Sequence, residues 1–144
     1  MDGSAVLALD VGEARIGLAR GARGSSFAFP RGWITRGRSI RADISALREL
    51  AEREQAGLLV VGLPLRSDGG DSEQTRRVRE FTAELEAAGF KVEFQDERYT
   101  TRIAGQQIAG GPRSRQKRQQ KGLEDEAAAV LILETWLQRQ VAGL

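Results

Sequence analysis

Apolar residues run without a break from Ala5 to Leu9 and again from Leu58 to Val61. Runs of this length predict strands buried on both faces. The first strand spans residues 5–11. Arg15 to Ala19 predicts a second strand, returning after a tight turn through Gly12-Glu13. Phe27 to Thr35 predicts a third, irregular one, where Pro30 and Gly32 mark an edge or a bulge. Ile40, Ile44, Leu47, Leu50 and Ala51 recur at helical spacing and predict a helix from Ile40 to Gln55, with Gly57 as its stop. Leu58 to Gly62 is the next buried strand. A polar loop, Arg66 to Gly70, leads to Asp71 and Gln74, which resemble the capping box of a helix running to about Ala88. Val78, Phe81, Leu85 and Ala88 line one face of it, and Gly89 stops it. Phe90 to Phe94 alternates like a strand. A short helix over Thr101–Ile108, a Gly-, Arg-, Lys- and Gln-rich loop over Gly110–Lys121 and a last helix from about Leu123 to Val141 complete the chain. Three strands, then helices alternating with strands, predict an α/β domain. Its sheet is mixed, with later strands parallel and both faces covered. With no internal repeat, 144 residues predict one domain.

Asp10 closes the first apolar run. A carboxylate where a buried strand ends is costly to desolvate unless a charged partner meets it. Asp96-Glu97 ends the last strand, and Asp125 falls in the first turn of the predicted last helix. Sites in parallel α/β sheets form at the carboxyl ends of strands, so three acids from three distant segments can converge there. Each also has a plainer reading. Asp10 before a glycine is a turn residue, Asp96 or Glu97 pairs with Arg98 at the surface, and Asp125 answers the helix dipole. Gly12 and Gly17 read either as close backbone approach to a phosphate or metal or as a hairpin needing positive φ. Thr100 and Thr101 can donate to phosphate but suit capping the next helix. Trp33 and Trp136 can stack on bases, and core packing is the stronger expectation.

Composition narrows the chemistry. The chain contains neither His nor Cys, which excludes Ser-His-Asp triads, Cys-His dyads and His or Cys zinc sites. Acid–base work then falls to carboxylates, Lys, Tyr or a metal-activated water. Oxygen-only ligands favour Mg²⁺ or Mn²⁺. Net charge is only +2 but unevenly spread. Residues 13–41 hold seven Arg and one acid, and residues 98–121 hold seven basic residues and no acid. Two such stretches point to a polyanionic partner, nucleic acid foremost. Absence of Cys fits a cytoplasmic protein. No membrane span or basic leader is predicted.

Four motifs follow one another: Asp10-x-Gly12-x-x-x-Ile16-Gly17, Val60-Val61-Gly62-Leu63-Pro64-Leu65 with Asp68-Gly69, Asp96-Glu97-Arg98-x-Thr100-Thr101, and Asp125-x-x-Ala128-Ala129-Val130-Leu131-Ile132-Leu133. In order and spacing they resemble the YqgF (RuvX) family over residues 5–138. The resemblance implies one ribonuclease H-like nuclease domain over residues 1–144, with a mixed five-stranded sheet flanked by helices. It implies a divalent-metal-dependent nuclease, described in the family as maturing the 5′ end of pre-16S ribosomal RNA or as resolving Holliday junctions. By position, the resemblance makes Asp10, Glu97 (or its neighbour Asp96) and Asp125 the metal ligands and catalytic acids. Leu123-Glu124-Asp125-Glu126 is more acidic than the family pattern, so Glu124 or Glu126 competes for that role. Arg15, Arg98, Thr100, Arg113, Arg115, Lys117, Arg118 and Lys121 are expected to hold RNA or branched DNA by its backbone. A junction resolvase would act as a homodimer, with Phe27, Phe29 and Trp33 as seam candidates. Two rival readings are a ribosome-assembly factor with a vestigial site and a small phosphate-handling ATPase. The chain is short for the second, whose fold encloses nucleotide between two domains.

Overall fold

The computed structural model describes residues 4–99 and 114–143. In chain order the elements are β1 (Ala5–Val11), β2 (Arg15–Ala22), β3 (Ala28–Thr35), α1 (Ile40–Glu54), β4 (Ala56–Leu63), α2 (Glu73–Ala87), β5 (Val92–Asp96) and α3 (Ser114–Val141). The strands form one sheet in the order β3-β2-β1-β4-β5. β1, β2 and β3 pair antiparallel, while β1, β4 and β5 pair parallel. The two unbroken apolar runs, β1 and β4, therefore lie side by side in the middle, where both faces are covered.

Alternation along β1 separates the two faces. Leu7, Leu9 and Val11 pack with Leu47, Leu50, Val78, Phe81 and Leu85 of α1 and α2. Val6 and Ala8 face the other way, onto Ala129, Ile132, Leu133, Trp136 and Leu137 of α3. Each large apolar side chain so buried contributes about 1.5–3 kcal/mol. β3 is the sheet edge, and its register against β2 shifts between Gly17 and Ala19, opposite Trp33 and Pro30. The edge and the irregularity expected from Pro30 and Gly32 are thus both present. Glu126 of α3 accepts the Gly32 N–H, closing the bulge.

The observed element ends correct the sequence reading in four places. α1 ends at Glu54 because Gln55 takes the left-handed conformation (φ 56°), and Gly57 lies inside β4 instead of stopping the helix. The capping box of α2 is Ser72 with Thr75, each side chain accepting from the other's backbone N–H (3.1 and 3.0 Å), not Asp71 with Gln74. β5 begins at Val92 instead of Phe90. Most consequentially, residues 114–121 are helical, not loop. They contain no Gly or Pro, and Arg, Gln and Lys prolong a helix readily once the turns beyond are packed. Asp125 is consequently about three turns into α3, not in its first turn. The helix expected over Thr101–Ile108 lies outside the described residues. No helix among the described residues is long and apolar enough to cross a membrane.

Where α3 crosses the sheet edge, Gly122 meets the face of Trp33, and a Cβ at Gly122 would overlap the indole ring. Replacing a helical glycine by alanine ordinarily stabilises by about 1 kcal/mol. Gly122→Ala is expected to destabilise instead, by about 1–3 kcal/mol, because overpacking exceeds the propensity gain. Urea denaturation checks this; a raised midpoint would contradict the contact.

Candidate metal centre and nucleic-acid interface

Asp10 pairs with Gly17 of β2 across the antiparallel ladder. Directly opposed residues point to the same face, and by alternation with Val6 and Ala8 that face is the one α3 covers. A Cβ at Gly17 would overlap the Asp125 carbonyl. The α3 backbone at Asp125 therefore rests on β2 beside Asp10. On the other side of β1 the register Leu9–Val61 sets Gly62 of β4 next to Asp10 one residue on. A Cβ at Gly62 would overlap Ile132 of α3 and stand 3.1 Å from Glu97 Oε2. Two glycines thus flank Asp10, one admitting the helix that carries Asp125 and the other admitting the Glu97 carboxylate. β1 and β2 do form a hairpin, closed by the Gly12 N–H on the Arg15 carbonyl (2.9 Å), but neither Gly12 nor Gly17 is among the glycines with positive φ. At Gly17 it is the backbone of α3 that makes the close approach.

β5 distinguishes Glu97 from Asp96. Glu93 and Gln95 face α3, where Trp136 Nε1 donates to Glu93 (3.1 Å) and Arg139 to Gln95 (3.4 Å). Glu97, the first residue of the single 3-10 turn Glu97–Tyr99 that follows β5, is buried with its carboxylate against Gly62. Asp96 pairs with Leu63, on the α1/α2 side. There Arg98 donates to it from Nε and Nη2 (3.0 and 2.6 Å). That hydrogen bond holds the Asp96 carboxyl below the usual range, outweighing the opposing effect of burial. The surface-pair reading therefore holds for Asp96 with Arg98, and Glu97 is the acid that shares a face with Asp10.

Arg15, expected on phosphate, donates from Nε to Asp125 Oδ2 at 2.8 Å, both side chains being largely covered. Glu126, the competitor for the ligand role, is engaged at Gly32. Lys117, Arg118 and Lys121 are exposed on the first turns of α3. Lys117, Lys121 and Asp125 recur every four residues, forming one stripe that leads to the acids. Thr100, Arg113 and the side chain of Arg115 lie outside the described residues. Trp136 is core, as expected. Trp33 packs on Gly122 and is half-buried, while Phe27 and Phe29 are exposed beside the sheet edge.

As the side chains stand, no group of three or more acids among the described residues is gathered closely enough to hold a metal ion. Asp125 is turned to Arg15. The donors are nonetheless oxygen-only, come from three elements and lie around Asp10 on one face, a set suited to a hard divalent cation once Asp125 leaves its ion pair. Sequence reasoning missed the part played by Gly62. Its signal was a glycine ending an all-apolar buried strand, which marks close approach of another group.

The cradles rank by what they meet. Gly17→Ala would overlap the α3 backbone outright, whereas Gly21→Ala meets the side-chain tips of Leu137 and Leu133 at 3.0 and 3.1 Å and the Phe27 carbonyl at 3.1 Å, contacts that give way by a few tenths of an ångström. Gly17→Ala is expected to cost about 3 kcal/mol of stability and Gly21→Ala less than half of that. Chemical denaturation checks the ranking, which equal losses would contradict.

The sequence model of the family described as "RuvX: Holliday junction resolvase" matches residues 4–139. A Thermus thermophilus protein named "Putative pre-16S rRNA nuclease" is 45% identical over 93% of this chain and 97% of its own length. Ribonuclease YqgF of Deinococcus radiodurans is 46% identical over 93% of this chain and 88% of its own. Among solved structures, T. thermophilus RuvC in complex with a Holliday junction substrate aligns over 96% of both chains at a TM-score of 0.58 and 13% identity. That likeness speaks to the fold, which is ribonuclease H-like, as the motifs implied.

Proposed function

The chain belongs to the RuvX family, and from that premise we propose that it is a metal-dependent nuclease, one domain over residues 1–144, that hydrolyses phosphodiester bonds. The carrying observation is that Gly17 and Gly62 bring Asp125 and Glu97 to the face of the sheet on which Asp10 lies. In this reading Asp10, Glu97 and Asp125 hold Mg²⁺ or Mn²⁺. When bound, such an ion stabilises charge on the phosphoryl oxygens and activates water for attack. The chain's own residues supply the rest. Asp10 is fixed by the strand it ends, and Glu97 is buried against Gly62. Arg15 stands within reach of both Asp125 and an incoming phosphate. Lys117, Arg118 and Lys121 attract and align the backbone without reading sequence. Thr100, Arg113 and Arg115 are proposed as further backbone contacts, and Arg98, held by Asp96 on the other face, as one that must leave that pair to reach phosphate.

The names of the relatives, pre-16S rRNA nuclease among them, support RNA as the substrate, in maturation of the 5′ end of pre-16S rRNA, and a cytoplasmic location goes with that reading. A second reading, resolution of branched DNA, has the family description and the RuvC-like fold on its side. It requires paired sites and hence a homodimer. Phe27 and Phe29, 69% and 54% exposed beside the free edge of β3, offer it a seam.

Asp10→Asn is expected to reduce cleavage of an RNA carrying the 5′ leader, with added Mn²⁺, to background, while circular dichroism and RNA binding stay at wild-type levels. Running the same assay on a four-way junction separates the two substrates. Cleavage by Asp10→Asn at the wild-type rate would remove Asp10 from the site.

A further inference from the structure

Val11 and Gly12 continue from Asp10 into a cleft on the opposite, α1/α2 side of the sheet. There Glu13, Arg36, Gln74 and Arg77 help line a cavity of about 220 Å³. A second hollow of about 330 Å³ shares Glu13, Arg36 and Arg77 with it and extends to Arg38 and Ser39 at the start of α1. Three guanidinium groups thus border one concave surface beside the end of β1, and none belongs to the basic stripe on α3.

These groups differ in how they are held. Arg36 is fixed on three sides: Nε donates to the buried Asp43 carboxylate (2.9 Å), Nη1 donates to the Gly12 carbonyl (2.9 Å), and its guanidinium lies 4.7 Å from the centre of the Phe81 ring. Its Nη2 has no hydrogen-bond partner among the described residues. Arg38 is exposed and makes no ion pair or hydrogen bond among them. Arg77 is engaged by Glu13, with Glu73 at 4.0 Å. Both Arg77 and Glu13 are more than half exposed, at 51% and 74%. A pair that exposed is worth little and exchanges readily. The Glu13 carboxylate therefore occupies, from the chain itself, the position of an oxyanion. A guanidinium fork matches two oxygens of a phosphate equally well. The N-terminus of α1, capped by Ser39, opens on the same hollow and adds partial positive charge.

We propose that this cleft, bordered by Arg36, Arg38 and Arg77 and lidded by Glu13, is a second binding subsite for a backbone phosphate of the nucleic acid, several nucleotides from the bond that is cut. It rests on the nuclease reading only for its ligand. The strand passes over the end of the sheet at the β1–β2 turn, held on one side by the α3 stripe and on the other by this cleft. Glu13 swings out as the phosphate enters, so it competes with substrate. Arg36 contributes a preset donor, and Arg38 and Arg77 contribute the exchangeable ones.

The test is fluorescence anisotropy of a labelled single-stranded RNA of about 20 nucleotides, and of a fragment of about five, in EDTA so that no cleavage intervenes. Arg36 is left intact because it holds Gly12. The double variant Arg38→Gln/Arg77→Gln is expected to bind the long RNA about tenfold more weakly. Its slope of log affinity against log salt should flatten by about 1.4, two contacts at about 0.7 each for a single strand. The short RNA, unable to span both banks, should bind as to wild type. Glu13→Gln should tighten the long RNA several-fold. Wild-type affinity and slope for the long RNA in the double variant overturn the subsite, as does unchanged or weaker binding in Glu13→Gln. The nuclease reading fails separately: a wild-type protein that shows these binding differences yet cleaves nothing with Mg²⁺ or Mn²⁺ keeps the subsite and loses the enzyme.

Discussion

At Gly17 the backbone of α3 lies against the backbone of β2, with the Asp125 carbonyl where any other residue would place its Cβ. Interiors are close-packed, so an approach this close is permitted only by glycine. It fixes how far along the sheet and how near to it α3 runs. The remaining contacts follow that setting. Ile132 fills the space at Gly62, Leu133 and Leu137 meet Gly21, and Gly122 meets Trp33. Asp10 lies between Gly17 and Gly62, the two glycines at which α3 and the Glu97 carboxylate approach the sheet.

The same packing creates an electrostatic problem. Acids brought together on a partly buried face repel one another unless cations intervene. The chain answers with guanidinium groups: Arg15 holds Asp125, and Arg98 holds Asp96 on the other side of β5. A metal ion between Asp10, Glu97 and Asp125 would take over the role Arg15 plays toward Asp125. Arg15 would then be released toward phosphate. Positive charge on α3 and around the α1 N-terminus flanks the acidic edge, which is the distribution a polyanionic substrate with a metal-dependent reaction centre requires.

Much of this was legible in the sequence. The unbroken runs at β1 and β4 identified the central strands, and Pro30 and Gly32 identified the edge. The absence of His and Cys limited any metal site to oxygen donors. What escaped was decided by tertiary contacts that leave weak local signals. Gln55, not Gly57, ends α1, because β4 begins one residue later. Residues 114–121 are polar and basic, which reads as loop, yet packing of the turns beyond them extends the helix, so the depth of Asp125 within α3 was misjudged. Glu97 and Asp96 are adjacent in sequence and equivalent in composition. The pairing of β5 with β4 sets Asp96 opposite Leu63, and the 3-10 turn that begins at Glu97 turns the next carboxylate toward Gly62. Arg36 is distinguished from the other arginines of residues 13–41 only by tertiary bonds, to Asp43 and the Gly12 carbonyl.

The central claim is that Asp10, Glu97 and Asp125 form one divalent-cation site around the end of β1. Anomalous diffraction from crystals soaked in Mn²⁺ tests it most directly. The account predicts a peak about 2.0–2.3 Å from a carboxylate oxygen of Asp10, also within coordination distance of Glu97 and Asp125, with Arg15 withdrawn from Asp125. A peak coordinated by other acids, or an Arg15–Asp125 pair left intact with no ion beside Asp10 at saturating Mn²⁺, would contradict it.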